Sequence, residues 1–364
     1  MTTFRRIVRK FVFRMASRVL QSDEGRRILV EALDGLLRSP ANLSFARRVN
    51  EQPYADVGRA ASEDIKRPLL PPVFITSRFR SGSTLLWNVF RHLSGWTAYY
   101  EPLNERRWFD PSLRGEQVDA THRGVSDYWR EYEGLQCLAE HYRSSWISRN
   151  LYMDRESSDP ALRRYIQLLI EHAGGRACLQ FNRIDFRLPW LRATFPDAQI
   201  VHLYRHPRDQ WCSSFQRTEP FPRDGGVRDF GPHDEFYLLS WSRDLSYHFP
   251  FLNEDCVDHP YQLFYYVWKL SYLFGRAFAD CSVEFEQLVA APAAELAKLF
   301  DVLGAGHVNT DNLVGLFVQP RLGRWRGYAD DAWFAEHEAK CESVLADFVQ
   351  GRSSQVLPDH ATID

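Results

Sequence analysis

The chain of 364 residues carries 45 Lys and Arg against 47 Asp and Glu, a formal net charge of −2. That balance excludes the broad cationic face that nonspecific nucleic-acid binding requires, so any anion site has to be local. Twelve histidines without an HExxH cluster and six cysteines (Cys137, Cys178, Cys212, Cys256, Cys281, Cys341) without a CxxC pair give no metal-ligand spacing, so no metal is expected and a reducing compartment fits best.

With 45% hydrophobic residues, including 11 Trp, 16 Tyr and 25 Phe, the chain can fill a large core. It has neither the roughly 18 to 20 apolar residues in a row of a membrane span nor the apolar core of a signal peptide, and a cytoplasmic location is expected. Residues 1–65 read as a helical extension. At its start, Phe4, Ile7, Val8, Phe11, Met15 and Val19 recur at helical spacing between Arg5, Arg6, Arg9, Lys10, Arg14 and Arg18. Such a face suits peripheral contact of residues 4–20 with an anionic membrane, and equally docking on the chain's own domain.

After Pro68 to Pro72 the pattern changes, and residues 66–350 read as one α/β domain followed by a tail at 351–364. Val73 to Thr76 is an apolar, β-branched run that predicts a buried strand. A Gly- and Ser-containing loop follows it, then a helix from Thr84 to Leu93 and a strand from Trp96 to Tyr100. The alternation returns as a strand at Ala177 to Phe181, a helix near Leu188 to Thr194, a strand at Ile200 to Tyr204 and a helix opened by Pro207. It recurs as a helix over Tyr261 to Phe278, a strand over Ser282 to Phe285 and a helix opened by Pro292. Alternating units of this kind predict a mostly parallel central sheet with helices on both faces. Two aromatic-rich excursions, Pro102 to Gly175 and Thr218 to Pro260, are expected to build a lid or acceptor pocket, although each aromatic alone reads as packing on the sheet.

Two segments carry chemistry. In Arg80-Ser81-Gly82-Ser83-Thr84 a strand runs through a tight loop into a helix, so backbone N–H groups and the helix dipole converge on one point that suits a phosphate or sulfate. Gly82 allows close approach, Ser83 and Thr84 add hydroxyls, and Arg80 adds a guanidinium. Taken alone, this could be a mere helix cap. A P-loop kinase or NTPase is the competing class, but aligned with GxxxxGK[ST] the chain has Ser77 for the first Gly and Ser83 for the Lys. The strand Ile200 to Tyr204 moreover ends in Arg205, not in a Mg²⁺-holding Asp. The second segment runs from Arg205 to Ser213. Its Arg stands at a strand's carboxyl end and its Ser two turns along the next helix, where both can face one crevice. By itself, Arg205 could simply pair with Asp209.

Together the two segments resemble the sulfotransferase family that uses 3′-phosphoadenosine 5′-phosphosulfate (PAPS). In that family a [KR]SG[ST]T loop holds the 5′-phosphosulfate, and an Arg followed eight residues later by Ser holds the 3′-phosphate. Arg80 to Thr84 matches the first, and Arg205 to Ser213 the second, with Pro207 and Asp209 also in place. Arg321-Leu322-Gly323-Arg324-Trp325 is similar to an R-x-G-x-W segment of bacterial members whose basic residues close over the 3′-phosphate, and Ser282 to Leu288 is similar to the family's YEDL strand and helix. The resemblance thus implies a P-loop-like fold with PAPS as co-substrate, bound by Arg80, Ser81, Gly82, Ser83, Thr84, Arg205, Ser213, Arg321, Gly323 and Arg324. Leu85 stands where the cytosolic small-molecule branch has an adenine-stacking Trp. Glu101-Pro102-Leu103 resembles the carbohydrate-acting branches, which implies Glu101 as base and Arg80 as stabiliser of the leaving phosphate; Glu105 or a residue in the excursions stays open as the base. The implied acceptor is a hydroxyl on a glycan or glycolipid; a natural product or a peptide tyrosine stays open.

Overall fold

The computed structural model describes residues 70–114, 125–215, 219–306, 308–317 and 320–352. The amino-terminal extension over 1–65, with its basic face at 4–20, and the tail from 353 onward lie outside them.

The elements in chain order are β1 (Val73–Ser77), α1 (Ser83–Arg91), β2 (Trp96–Tyr100), α2 (Pro160–Glu171), β3 (Arg176–Phe181), α3 (Leu188–Thr194), β4 (Gln199–Tyr204) and α4 (Pro207–Ser213). They continue with α5 (Leu238–Leu245), α6 (Pro260–Phe278), β5 (Cys281–Glu284), α7 (Phe285–Ala290), α8 (Pro292–Val302), α9 (Asp311–Val314) and α10 (Asp331–Arg352). The five strands form one sheet in the order β2-β3-β1-β4-β5, with every neighbouring pair parallel. All five residues of β1 and all six of β3 are buried, as befits parallel strands covered on both faces. The predicted strand over Ser282 to Phe285 begins and ends one residue earlier, because Phe285 already opens α7.

Parallel pairing puts the carboxyl ends of all strands on one edge. Thr76 lies level with Phe181 of β3 and His202 of β4, Tyr100 of β2 with Gln180, and Tyr204 with Glu284 of β5. The segments after the strands, which include 78–82, 101–105, 182–187 and 205–206, therefore gather at the place where open α/β sheets bind ligands. Proline opens α2, α4, α6 and α8, where its fixed φ costs nothing and its missing N–H is not needed. Gly275 lets α6 lie directly on the sheet, since a Cβ there would fall 2.2 Å from the His202 ring. Burial holds the pKa of His202 down to about 3, so it is a neutral core residue.

The first excursion contributes packing. Trp108, Tyr128, Tyr132, Tyr142 and Trp146 are all buried in the core cluster. Trp87, two residues beyond Leu85, is fully buried and donates to the Ala98 carbonyl at 2.8 Å, which removes it from any ligand-stacking role. No helix among the described residues is long and apolar enough to cross a membrane.

Candidate active site

Leaving β1, the backbone takes left-handed conformations at Arg80 (φ 65°) and Gly82 (φ 92°), and α1 begins at once, with Leu85 and Leu86 donating to the Gly82 carbonyl. No side chain caps this helix and no acidic residue stands in its first turn. Its leading N–H groups and dipole are therefore directed at whatever occupies the turn. Gly82 is obligatory for space as well as for φ: a Cβ would lie 2.3 Å from two carbons of the Phe285 ring. Ser81 donates to the Arg78 carbonyl at 2.7 Å and tightens the loop from within.

The second segment meets the first directly. Arg80 Nε donates to the Ser213 carbonyl (3.1 Å) and lies 3.2 Å from Ser213 Oγ, while Arg205 Nη1 donates to the Arg80 carbonyl at 3.1 Å. Gln210 adds a bond to the Phe79 carbonyl. Arg205 is 7% exposed, stacks over the Phe285 ring at 5.0 Å and keeps its backbone in place through Trp268, whose indole donates to its carbonyl. Its Nε has no hydrogen-bond partner, the nearest carboxylate oxygen being that of Glu286 at 3.8 Å. Burial lowers its pKa, the charges of Glu286 and Asp209 oppose that, and those of Arg80 and Arg324 add to it. Two guanidinium groups, those of Arg80 and Arg205, thus meet at one corner with an orphaned donor between them, an arrangement that an anion relieves. Gly323 (φ 74°) and Arg324 belong to a strap held to Asp209 of α4, close enough for the Arg324 charge to act on Arg205, and both Arg324 and Arg321 at its beginning are exposed.

Across the sheet edge, Glu101 is 6% exposed and has an unusual φ of 39°. Its Oε2 accepts from Asn104 Nδ2 and Arg183 Nη1, each at 2.7 Å, and its Oε1 accepts from Asn182. Tyr100, adjacent to Glu101 in the chain, connects the cradle to this carboxylate: its hydroxyl is 3.0 Å from Thr84 Oγ1, and after burial the Glu101 charge also raises its pKa. Three buried tyrosines fix the backbone on either side of Glu101, with Tyr132, Tyr165 and Tyr142 donating to the carbonyls of Tyr100, Pro102 and Asn104 at 3.0, 2.7 and 3.0 Å. Arg183 also pairs with Glu105, whose side chain is 46% exposed, so one guanidinium ties both carboxylates. From the second excursion, Phe236, Tyr237 and Trp241 come to lie around Phe79, and Arg183 stacks on Phe79 (4.9 Å) and Tyr237 (5.5 Å).

The structure therefore brings Arg80, Ser81, Gly82, Ser83, Thr84, Arg205 and Ser213 into one site, with Glu101 joined to it through Tyr100. Sequence reasoning missed Asn182, Arg183, Asn104, Gln210 and Tyr100. Asn182 and Arg183 had a legible signal, a polar pair at the carboxyl end of an apolar strand in a sheet already read as parallel.

The model of a family described as the sulfotransferase family matches residues 71–307. No curated protein matches the chain. Among solved structures, similar chains include the sulfotransferase domain of the Synechococcus PCC 7002 olefin synthase. It is 18% identical with a TM-score of 0.39, and the match covers 79% of this chain and 96% of that one. A sulfotransferase from Mycobacterium tuberculosis H37Rv is 18% identical (TM-score 0.38, covering 74% and 77%), and one from Mycobacterium avium is 13% identical (TM-score 0.41, covering 82% and 81%).

Proposed function

This chain belongs to the sulfotransferase family, and from that premise we propose that it transfers the sulfuryl group of PAPS to an acceptor hydroxyl with Glu101 as base. The observation that carries the donor assignment is the convergence of Arg80, Arg205 and Ser213 from two segments more than a hundred residues apart. A P-loop serves a single run of linked phosphates, here the 5′-phosphosulfate, while a second guanidinium and hydroxyl at its flank fit the separate 3′-phosphate of the adenosine. Arg80 and the leading amides of α1 would hold the 5′-phosphosulfate, and Arg205, Ser213 and Arg324 the 3′-phosphate, with Arg321 entering at the strap's exposed end.

In the transfer, the acceptor oxygen forms a bond to sulfur as the bond from sulfur to the 5′-phosphate oxygen breaks, and the acceptor's proton passes to a carboxylate oxygen of Glu101. Negative charge grows on the departing phosphate, where Arg80 and the helix dipole meet it without reorganisation. Both Glu101 oxygens are engaged, so taking the proton requires the exchange of one partner for the acceptor hydroxyl. Glu105, which is more exposed on the same Arg183, is the competing base.

The acceptor reading, a hydroxyl on a glycan or glycolipid, rests on the Glu101-Pro102-Leu103 resemblance. Incubation with ³⁵S-labelled PAPS and a cell extract, followed by mass analysis of the labelled product, tests it; label in a tyrosine peptide or a small natural product instead would refute it. For the donor, calorimetry should show tight binding of adenosine 3′,5′-bisphosphate that Arg205→Ala weakens, and unchanged binding in the variant would remove the assignment.

A further inference from the structure

The segment Arg205 to Ser213 contains two further charged residues, Arg208 and Asp209, whose hydrogen bonds run to a different structure, the strap at Gly323 and α10. Asp209 is 3% exposed. Its Oδ2 accepts the backbone N–H of Gly323 at 2.7 Å, and its Oδ1 that of Trp325 at 3.4 Å. Arg208 makes a two-pronged pair with Glu338 of α10 (2.8 and 2.7 Å), also pairs with Asp331, and stacks on the Trp325 ring at 4.9 Å. The His206 ring lies parallel to Trp325 at 6.4 Å. Gly323 accepts this tether because its φ of 74° is a conformation that other residues resist. The strap carrying Arg324 is therefore fastened to the same turn that carries Arg205, through two main-chain bonds to one buried carboxylate.

We infer that Asp209 is a positioning residue for the donor site: it latches the Gly323–Trp325 strap so that Arg324 is held ready over the 3′-phosphate before nucleotide arrives. The inference rests on the donor reading above. Asp209 places a negative charge close enough to Arg205 to act on its ionisation, so as a mere neighbouring charge it opposes an incoming phosphate and its removal would tighten binding. As a latch it does the reverse, because without it the strap must be ordered at the moment of binding.

The test compares adenosine 3′,5′-bisphosphate with adenosine 5′-monophosphate, by calorimetry, on the full chain. Asp209→Ala should weaken the bisphosphate about tenfold or more, in line with the loss of two bonds to a charged acceptor, and leave the monophosphate unchanged, which also reports that the variant is folded. Asp209→Asn keeps one carbonyl acceptor and should lose less; it remains informative should the Ala variant fail to fold. In either variant, amide exchange over the peptide 320–328 should accelerate. Unchanged or tighter bisphosphate binding, or equal weakening of both nucleotides, overturns the latch. If the unaltered protein binds both nucleotides equally, the donor reading itself fails and the latch goes with it, so the two failures are told apart.

Discussion

Gly82→Ala gives the sharpest test of how the cradle is built. Two separate penalties meet at this residue. The left-handed backbone (φ 92°) costs a side-chain-bearing residue about 1–2 kcal/mol. The new Cβ would also fall 2.3 Å from Cδ2 and Cε2 of Phe285, a buried ring with Arg205 stacked upon it, so the ring must move. Overpacking of this kind adds about 1–3 kcal/mol, for a total of roughly 2–5 kcal/mol. Gly134 is the matched control: its φ is 81°, but nothing lies within 4 Å of its Cβ position. Gly134→Ala should therefore cost the backbone share alone, about 1–2 kcal/mol. Urea unfolding of both variants reads the difference. A double-mutant cycle with Phe285→Ala then isolates the clash, which should appear as a coupling of about 1–3 kcal/mol that offsets the two single losses. If Gly82→Ala proves no worse than Gly134→Ala, or if the cycle is additive, Phe285 does not form the wall of the cradle and the packing argument is wrong.

Other expectations follow from the same geometry. Arg205→Ala should weaken adenosine 3′,5′-bisphosphate about 10- to 100-fold by calorimetry, the value of a charge-assisted phosphate contact; a change under twofold would refute its role. Glu101→Gln should lower kcat about 10²- to 10⁴-fold at unchanged nucleotide affinity. The paired Glu105→Gln should keep most turnover, and the opposite ranking would transfer the base role to Glu105. Tyr165→Phe leaves the Pro102 carbonyl without its buried donor and should cost about 1–3 kcal/mol of stability in denaturant unfolding, with a fall in kcat that a purely distant packing residue would not cause. Burial depresses the His202 pKa to about 3, so between that value and the ordinary one near 6.5 the unfolded chain binds more protons than the folded one. Stability must then fall as pH drops below about 6.5, by up to about 1.4 kcal/mol per pH unit for this group. His202→Asn should flatten that slope by about one proton in urea titrations from pH 6.5 to 4.5, and an unchanged slope would contradict the assignment.

Much of the scaffold was legible because its signals are local. Val73 to Thr76, Ala177 to Phe181 and Ile200 to Tyr204 are apolar runs of strand length, and Pro207 and Pro292 mark helix starts, so periodicity and punctuation locate them without tertiary information. The same holds for Gly82, whose position between a strand and a helix demands an unusual φ. The aromatic excursions were harder to place. Nothing local separates Tyr132, which fixes the Tyr100 carbonyl from within the core, from Phe236, which stands half-buried against Phe79 at the site.

The sequence by itself supplied the candidates for the donor site: an anion cradle read at Arg80 to Thr84 from a strand-loop-helix pattern, and a second phosphate site at Arg205 to Ser213 that the family resemblance implies, each a contiguous segment. The tertiary structure alone decided how these segments act as one. Arg80 on Ser213, Arg205 on the Arg80 carbonyl, Glu101 held by Asn182 and Arg183, and Asp209 on the Gly323 strap are pairings between separate segments. Most span dozens to more than a hundred residues. No spacing rule encodes them, because the parallel order β2-β3-β1-β4-β5 is what brings the strand ends to one edge. Local geometry specifies which groups can bind an anion; only the assembled sheet determines which of them share it.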